Sequence, residues 1–419
     1  MVPVCAALLF AGCNRNMFDP DAYKQVIDES FPVANIDPNH NWNLTQGHAT
    51  VVTANVDASV DVTSVRILSG NPFHEQNVEI LAEKPVQRGG MATLFYYAPA
   101  YQTSFYAALV ASDGSHLLKA FKSSEKNVSF ESGATQETGT MNETAYQTYT
   151  YLFEEDYPRP GDWDFNDLVL RVQKLPSQDP STVRLRVTLA AVGAKRQMAA
   201  AIRLIGYTAD DVETVYTEEG RTFDGGYPVK RLFIEQSDLL LRGRNNEAVL
   251  NLFEDAHYAM SPRLKPQDQG GTAVRMFYNT SRNPDGSASA QIAPKVITYG
   301  VKLRNPRLID NFTLETLDPF AIVDFNSGHF EIHPFPNKAA QTICDMDANE
   351  SANSNNMAWA LKIPNGSFRY PIEGQALGRY RDGVLTGSYM KDNHSYGQWV
   401  VNHNTCTDWF LYPTTGMVY

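Results

Sequence analysis

Hydrophobic and polar positions alternate along most of the chain, and this period of two is typical of β-strands. Between about 46 and 123, "ATVVTANVDASVDVTSVRILS" is rich in Val and Thr, and "SFYAALVASDG" ends in turn residues. The same pattern resumes near 144 with "TYTYLF", "DLVLRVQ", "TVRLRVTLAAVG", "KVITYGVKL" and "MAWALKIP". Few stretches carry the 3.6-residue period of a helix. The sequence therefore predicts a mostly β protein.

Changes in composition divide this pattern into regions. The stretch "SSEKNVSFESGATQETGTMNE" is rich in Ser, Thr, Gly and Glu and poor in large apolar residues, which is typical of a linker. We predict short helical insertions in the larger sandwich, near "EGQALGRYRDGV" and "SYGQWVVNHN". The predicted divisions are a signal segment (1–16), a short helix with a lead-in segment (17–45), a small N-terminal β-sandwich (46–122), a linker (123–143) and a larger β-sandwich (144–419).

The first residues, "MVPVCAALLFAGCNRN", form a short apolar run that ends at Cys13. The run is too short to cross a bilayer but fits the apolar region of a signal peptide. "LLFAGC" resembles the bacterial lipobox, in which the cysteine after the cleavage site carries lipid. The alternative is a secretion signal without lipid, because Phe10 stands where the pattern has Leu and no Lys or Arg precedes the run.

Beyond residue 13 the cysteines are Cys344 and Cys406. In an exported chain these two could form a disulfide. The alternative is two buried thiols, and sequence spacing does not decide between them because it does not give the distance between the residues.

The charge of the chain narrows the classes of partner. It carries 35 basic and 47 acidic residues, a formal net charge of −12, with no run rich in Lys or Arg. This balance argues against nucleic acid and anionic lipid headgroups as partners. It favours the binding of hard cations.

The acidic stretch "YTYLFEEDYPRPGDWDFNDLVLRVQ", 149–173, is the main candidate site. A strand ends in one group of acids, a stiff Pro/Gly loop follows, and a second group alternates with Trp163 and Phe165, which we expect to anchor the loop in the core. Calcium takes about six to eight oxygen ligands, and the D-x-D-x-N spacing supplies several from one tight loop. The predicted calcium ligands are Glu154, Asp156, Asp162, Asp164, Asn166 and Asp167.

This stretch is not an EF-hand, since Asp167 stands where that loop needs Gly and Gln173 where it needs Glu. Two alternatives stay open for it: a turn whose acids accept backbone hydrogen bonds without metal, and a catalytic carboxylate pair of the glycosidase type. The similar "CDMDANE" at 344–350 lies in a polar stretch and is better interpreted as a solvated loop.

A second group of candidate ligands falls on one predicted strand face. His329, Glu331 and His333 alternate in "GHFEIHP". Two His with a Glu could ligate zinc, but a half-exposed polar strand face is the commoner explanation.

The acidic stretch resembles the hallmark of the LruC-type domain found in lipoproteins and surface proteins of Gram-negative bacteria. That pattern is an F-E-D segment, a Trp- or Tyr-Pro step and G-D-x-D-F-N-D-L-V, and this chain departs from it by the extra acid Glu155. "FEIHPF", "WALKIPNGSFRYPIEG" and "DWFLYP" resemble further segments of the family. The resemblance covers roughly 140–415.

The resemblance implies an exported surface lipoprotein, with no established activity to carry over. We therefore predict a non-enzymatic protein with structural calcium, anchored by lipid in the outer membrane and exposed on the surface of a Gram-negative cell. Its role would be adhesion, surface or fimbrial assembly, or binding of extracellular glycan, with a surface protein or a glycan as partner. The rival prediction is a secreted carbohydrate-active enzyme that uses paired carboxylates.

Overall fold

A computed structural model describes most of the chain after residue 30. The described residues are 31–133, 137, 141–157, 161–223, 238–261, 276–325, 328–337, 342–343 and 357–419. The predicted signal segment with Cys13, residues 17–30 of the predicted helix and lead-in segment, Cys344 and the stretch 344–350 lie outside them. In the described part of the chain, no helix is long and apolar enough to cross a membrane.

Two sheets form a small N-terminal sandwich. The strands are β1 Thr45–Ala54, β2 Val62–Leu68, β3 Glu79–Pro85, β4 Met91–Pro99, β5 Ser104–Ala111, β6 His116–Lys122, β7 Asn127–Phe130 and β8 Ala145–Tyr146. One sheet has the order β4-β1-β7 and the other the order β6-β5-β2-β3-β8. Neighbouring strands are antiparallel except β1 with β7 and β3 with β8.

The alternation within these strands explains their packing. On β4, Ala92, Leu94 and Tyr96 are buried while Met91 and Phe95 point outward. The inward side chains meet those of the other sheet in one shared hydrophobic core. Both sheets thus bury their facing sides, and the five-stranded sheet also buries a small cluster on its outer face, formed by Leu68, Val78, Ile80 and Ala108.

The segment 123–143, predicted as a linker, takes part in the small sandwich. Its residues 127–130 form β7, which pairs with β1, and Val128 and Phe130 enter the core. The four residues "NVSF" have a period of two that the polar composition of the whole segment conceals. The separation of the chain into independently folding domains stays a prediction.

The larger sandwich contains the remaining long strands. They are β9 Thr148–Phe153, β10 Leu168–Leu175, β11 Thr182–Val192, β12 Met198–Thr208, β13 Val212–Thr217, β14 Leu240–Arg242, β15 Glu247–Phe253, β16 Lys295–Leu303, β17 Leu317–Phe325, β18 Gly328–Ile332 and β19 Ala360–Ile363. One sheet has the order β13-β16-β11-β10-β9-β19, and the other has the order β14-β15-β12-β17-β18. Both sheets are antiparallel and share one large core. The mostly β fold predicted from the sequence is confirmed.

Short helices and a hairpin interrupt the larger sandwich. The helices are α1 Ala256–Met260 and α2 Tyr396–Val401, and the hairpin consists of β20 Arg379–Arg381 and β21 Val384–Thr386. A helix was predicted for α2 and is present. The helix predicted for "EGQALGRYRDGV" is wrong, because Asp382 and Gly383 both have positive φ and form the tight turn of this hairpin.

Direct contacts join the two sandwiches. The side chain of Gln147 donates to the carbonyl of Tyr97 at 3.0 Å, and Thr45 Oγ1 donates to Glu315 Oε1 at 2.9 Å. The rings of Tyr101 and Phe410 lie 5.9 Å apart.

Candidate metal centre

The acidic stretch is the connection between two central strands of the larger sandwich. β9 and β10 pair antiparallel from Thr148↔Gln173 to Phe153↔Leu168, so residues 154–167 connect the strands at one end of the pair. The amide of Glu154 also donates to the carbonyl of Trp359 at 2.9 Å. The predicted ligand loop is therefore attached to the edge of a fully hydrogen-bonded sheet.

Two buried aromatic residues fix the path of this loop. Trp163 and Phe165 are fully buried in the large core, as the alternating pattern predicts. Both have left-handed backbone, with φ of 64° and 55°, a conformation that is unfavourable for bulky residues. Trp163 packs at 5.4 Å from the rings of Phe31 and Trp359. This packing holds the strained loop in one conformation.

Three of the predicted ligands converge. One carboxylate oxygen from each of Glu154, Asp162 and Asp164 lies within 4.8 Å of the others. Calcium binds oxygens at about 2.3–2.6 Å, so oxygens that share one ion lie up to about 5 Å apart. We call these three residues the acidic cluster. Glu154 and Asp164 are buried, while Asp162 is exposed.

Backbone amides satisfy only some of the cluster's oxygens. Glu154 Oε1 accepts the amide of Phe165 at 2.7 Å. Asp164 accepts the amides of Asn166 at 3.1 Å and Gly374 at 2.7 Å. Glu154 Oε2 is buried with no hydrogen-bond partner in the described part of the protein. Such an oxygen costs stability unless something outside the chain's own donors binds it.

Two glycines leave space for unpartnered oxygens. A Cβ on Gly161 would lie 2.2 Å from Glu154 Oε2. A Cβ on Gly193 would lie 2.0 Å from Asn166 Oδ1, which is also buried without a partner among the described residues. Because these two positions lack a Cβ, the two oxygens can occupy the places that a larger side chain would take.

The other three predicted ligands have different surroundings. Asn166 donates its amide nitrogen to the carbonyl of Pro371 at 3.3 Å. Asp167 Oδ2 accepts the amide of Glu155 at 2.5 Å, which closes the loop across its base. Asp156 is not a member of the acidic cluster and pairs with Arg196 at 2.9 Å, although its charge still raises the pKa of Glu154.

The structure also brings in two acids that were not among the predicted ligands. Glu155, the extra acid of the motif, accepts the amides of Lys195 at 2.9 Å and Arg196 at 2.6 Å and so holds the turn between β11 and β12. Glu373 lies near the acidic cluster, and its Oε2 is buried without a partner in the described structure. Glu373 lies in the "YPIEG" segment, which is part of the family resemblance. No residue of that segment was predicted as a ligand.

The electrostatics reflect a concentration of negative charge. Burial raises the pKa of Glu154 well above its usual range, and Asp162 and Asp164 raise it further. Burial, with Asp162 and Glu373 beside it, likewise raises the pKa of Asp164 well above its usual range. Burial and Asp162 raise the pKa of Glu373 to about 7. A cation at this position would reverse these effects, because an opposite charge favours the ionised form.

Of the three candidate zinc ligands, Glu331 and His333 belong instead to a hydrogen-bonded group that we call the histidine cluster, composed of Arg203, Asp318, Glu331 and His333. Both are buried, so the half-exposed strand face expected for them is wrong, and His329 is not part of this group. His333 is buried and contacts Asp318 at 2.9 Å through Nδ1 and Glu331 at 3.0 Å through Nε2. Arg203 pairs with Asp318 at 3.0 Å across strands β12 and β17. Burial lowers the pKa of His333, but Asp318 and Glu331 outweigh it and raise the pKa to about 9.

The predicted disulfide is not tested. Cys406 is partly buried and has no cysteine partner among the described residues. Cys344 lies outside them, so the pairing stays a prediction.

Comparison with known proteins gives limited matches. A family model described as a domain of unknown function, DUF4842, matches residues 181–382, just under half of the chain. None of the curated proteins matches. The matched residues fall within the range of the larger sandwich, and the description of that family states no function.

Two solved structures show weak likeness. One is a protein of Bacteroides ovatus described as a candidate lipoprotein, with 14% identity and a TM-score of 0.49, covering 85% of this chain and 99% of that one. The other is the B domain of a biofilm-associated protein, with 9% identity and a TM-score of 0.18, covering 89% of each chain. At these scores neither likeness assigns a function.

Proposed function

We propose that this protein is an exported lipoprotein whose larger sandwich is stabilised by a structural calcium ion at the acidic cluster. The observation that carries the proposal is the buried, unpartnered Glu154 Oε2 beside two further carboxylates within 4.8 Å. Acids on the surface are solvated by water and need no bound ion. Glu154 Oε2 is buried and accepts no hydrogen bond from the described residues, so a bound cation would compensate for its lost solvation.

The chemistry of the donors favours calcium. Oxygen ligands suit hard cations, and the flexible coordination of calcium tolerates an irregular loop better than the strict octahedron of magnesium. Glu154, Asp162 and Asp164 would hold the ion, and Glu373 is placed to balance its charge. Sulfur and imidazole ligands, which zinc prefers, do not take part in this group.

The ion would join parts of the chain that are distant in sequence. Asp164 already bonds the amide of Gly374, and Asn166 bonds the carbonyl of Pro371. A cation on the same carboxylates would fix the loop between β9 and β10 against the segment that leads to the hairpin β20–β21. Its role is therefore structural, and the interaction surfaces of the protein would depend on it.

A direct binding experiment tests the calcium proposal. Protein stripped with chelator is titrated with CaCl₂ and with MgCl₂ by isothermal titration calorimetry, and terbium luminescence is followed with Trp163 as the donor beside the site. We expect one calcium ion per chain, weak magnesium binding, and loss of both signals in Asp164→Ala. Asp156→Ala is the matched control, because this acid lies in the same loop but pairs with Arg196. Absence of calcium binding in the wild type, or equal loss in the control, contradicts the proposal.

The lipid anchor and the cellular role are further parts of the proposal. Cys13, at the end of the apolar run, would be the lipid-bearing N-terminus, in the outer membrane of a Gram-negative cell. Adhesion, surface or fimbrial assembly, and glycan binding are the roles that suit such a placement. Mass spectrometry of the native protein tests the anchor: an acylated mature chain that begins at Cys13 supports it, and an unmodified Cys13 contradicts it.

A further inference from the structure

A cleft of about 660 Å³ lies between the two sandwiches. Its walls come from β3 and β4 of the small sandwich, and from residues 174–183 and 309–314 of the larger one. The volume falls within the range of roughly 300–1,000 Å³ that is usual for small-molecule sites, which often occur between domains.

One wall of the cleft carries a fixed polar group. Glu83 accepts hydrogen bonds from Ser64 Oγ at 3.1 Å, Arg66 Nε at 2.9 Å and Tyr146 Oη at 2.6 Å. The side chains of Arg66 and Glu83 are 21% and 23% exposed, so they are held in place yet still reach the solvent. Polar groups positioned in this way provide both donors and acceptors with little loss of side-chain entropy on binding.

The opposite wall offers a cation in an apolar setting. Lys174 Nζ donates to the carbonyl of Phe312 at 2.5 Å and stands 5.9 Å from the centre of its ring. The charges around the cleft are balanced. They are the basic Arg66, Lys84 and Lys174 and the acidic Glu83, Asp179 and Asp310. Because neither sign dominates, the cleft favours an uncharged polar ligand over an anion or a cation.

Aromatic rings stand at the rim. Phe95 and Tyr97 lie two residues apart on β4 and therefore on the same face of that strand. Phe95 is 61% exposed although it lines the cleft. An exposed ring at the edge of a polar cleft offers a flat apolar surface to a ligand that has both apolar and polar faces.

We propose that this cleft binds a neutral oligosaccharide. A pyranose ring presents C–H groups on one face and hydroxyl groups at its edge. An oligosaccharide that fills the cleft would stack one ring on Phe95 and place hydroxyls of other rings against Arg66 and Glu83. A sugar without acidic groups also matches the balanced charge of the walls. This inference names a ligand class for the glycan-binding role among the proposed functions.

The cleft and the acidic cluster are separate sites. The cleft contacts Tyr149 at the start of β9 and Leu175 at the end of β10, whereas the acidic cluster lies beyond the other end of the same strand pair. Six residues of strand span about 20 Å. Sugar binding and calcium binding can therefore fail independently.

The test uses the intact mature chain with calcium present. Maltoheptaose, cellohexaose, xylohexaose and mannohexaose are the neutral probes, and oligogalacturonate and a chondroitin sulfate tetrasaccharide are the acidic probes, each measured by titration calorimetry and ligand-observed NMR. We expect at least one neutral probe to bind and the acidic probes to bind more weakly. Phe95→Ala should weaken that binding by about tenfold, since an aromatic contact contributes up to about one factor of ten.

Two further variants separate a specific effect from a folding defect. Met91→Ala is the matched control, because Met91 is 71% exposed on the same face of β4 but does not line the cleft. Glu83→Gln removes the central acceptor charge and should also weaken binding, with an unchanged circular dichroism spectrum. The proposal is overturned if no neutral probe binds, if the acidic probes bind more tightly, or if Phe95→Ala binds as well as Met91→Ala does. Calcium affinity should be unchanged in all three variants.

Discussion

The acidic cluster and the histidine cluster both hold buried carboxylates in the larger sandwich, but they differ in their counter-charges. In the histidine cluster, Asp318 and Glu331 contact His333, and Asp318 also pairs with Arg203. In the acidic cluster, Glu154 and Asp164 bond to backbone amides, and no basic side chain is paired with either in the described structure. The chain itself supplies the counter-charge of the histidine cluster, whereas under the calcium proposal a bound ion would supply that of the acidic cluster.

The comparison shows why similar acids behave differently. Buried charge is tolerated only where it is paired or coordinated. A protonated histidine and an arginine provide that charge permanently at neutral pH, so the histidine cluster contributes to the fold at any calcium concentration. The acidic cluster would stabilise the fold only when a cation is bound, so its contribution would depend on the calcium concentration around the protein. Four predictions examine this difference, from the largest expected effect to the smallest.

The largest effect is expected from removal of the internal counter-charge. His333→Ala should lower the free energy of unfolding by about 3 kcal/mol, because it removes the protonated histidine that contacts the buried Glu331, while Asp318 keeps its pair with Arg203. Urea denaturation measures the change. His394→Ala is the control, since its contact with Asp408 at 2.8 Å is partly exposed and should contribute less than about 1 kcal/mol. Equal losses in the two variants would show that burial is not the deciding factor.

Removal of the external counter-charge should have the next largest effect. Calcium at 100 times its dissociation constant adds about 2.7 kcal/mol of stability, so chelation should lower the Tm by several degrees. Asp164→Ala should abolish the response to calcium, while Asp156→Ala and His333→Ala should retain it. A wild-type Tm that is the same with chelator and with millimolar calcium would mean that the acidic stretch is only a hydrogen-bonded turn.

A smaller effect is expected from filling the space beside the unpartnered oxygen. In Gly161→Ala the new Cβ would stand 2.2 Å from Glu154 Oε2, so one of the two must move. The calcium affinity should fall by about tenfold, or 1.4 kcal/mol. Titration calorimetry measures it, with Gly47→Ala in the small sandwich as the control. Unchanged affinity would show that Glu154 Oε2 is not a ligand.

The smallest effect concerns pH, because Glu373 is partly open to solvent, which screens its charge. Its pKa is raised from 4.5 to about 7, by burial and then by Asp162. The stability it contributes to the calcium-free protein is therefore fully present below about pH 4.5 and is lost as the pH rises through about 7. Thermal melts of chelated protein should show this decline, and Glu373→Gln should reduce it.

The same measurement separates the two clusters. The pKa of His333, raised to about 9, places the corresponding loss between about pH 6.5 and 9. Saturating calcium should reverse the fall in stability only between about pH 4.5 and 7, where Glu373 titrates, because calcium competes with protons for the carboxylates. A trend that calcium leaves unchanged in both windows would remove the distinction between the clusters.

Much of the fold was predictable from local pattern. The period-two alternation predicted strands in both sandwiches. The alternation of acids with Trp163 and Phe165 predicted a loop anchored in the core, and both aromatic residues are buried there. Short elements were harder to predict. Strand β7 was not predicted, because its four residues lie within a segment whose composition is mostly polar. The helix predicted over β20–β21 is wrong, because Asp382-Gly383 forms a hairpin turn.

The spacing of acids and aromatics within 154–167 is a local property of the chain, so it was enough to name candidate cation ligands. Which of these candidates converge depends on contacts between distant segments. The tertiary structure paired Asp156 with Arg196, brought Glu373 from more than 200 residues away, and placed Gly161 against Glu154. The reason is physical: a cation site depends on distances and burial, and both are set by strand pairing and packing between segments far apart in the chain.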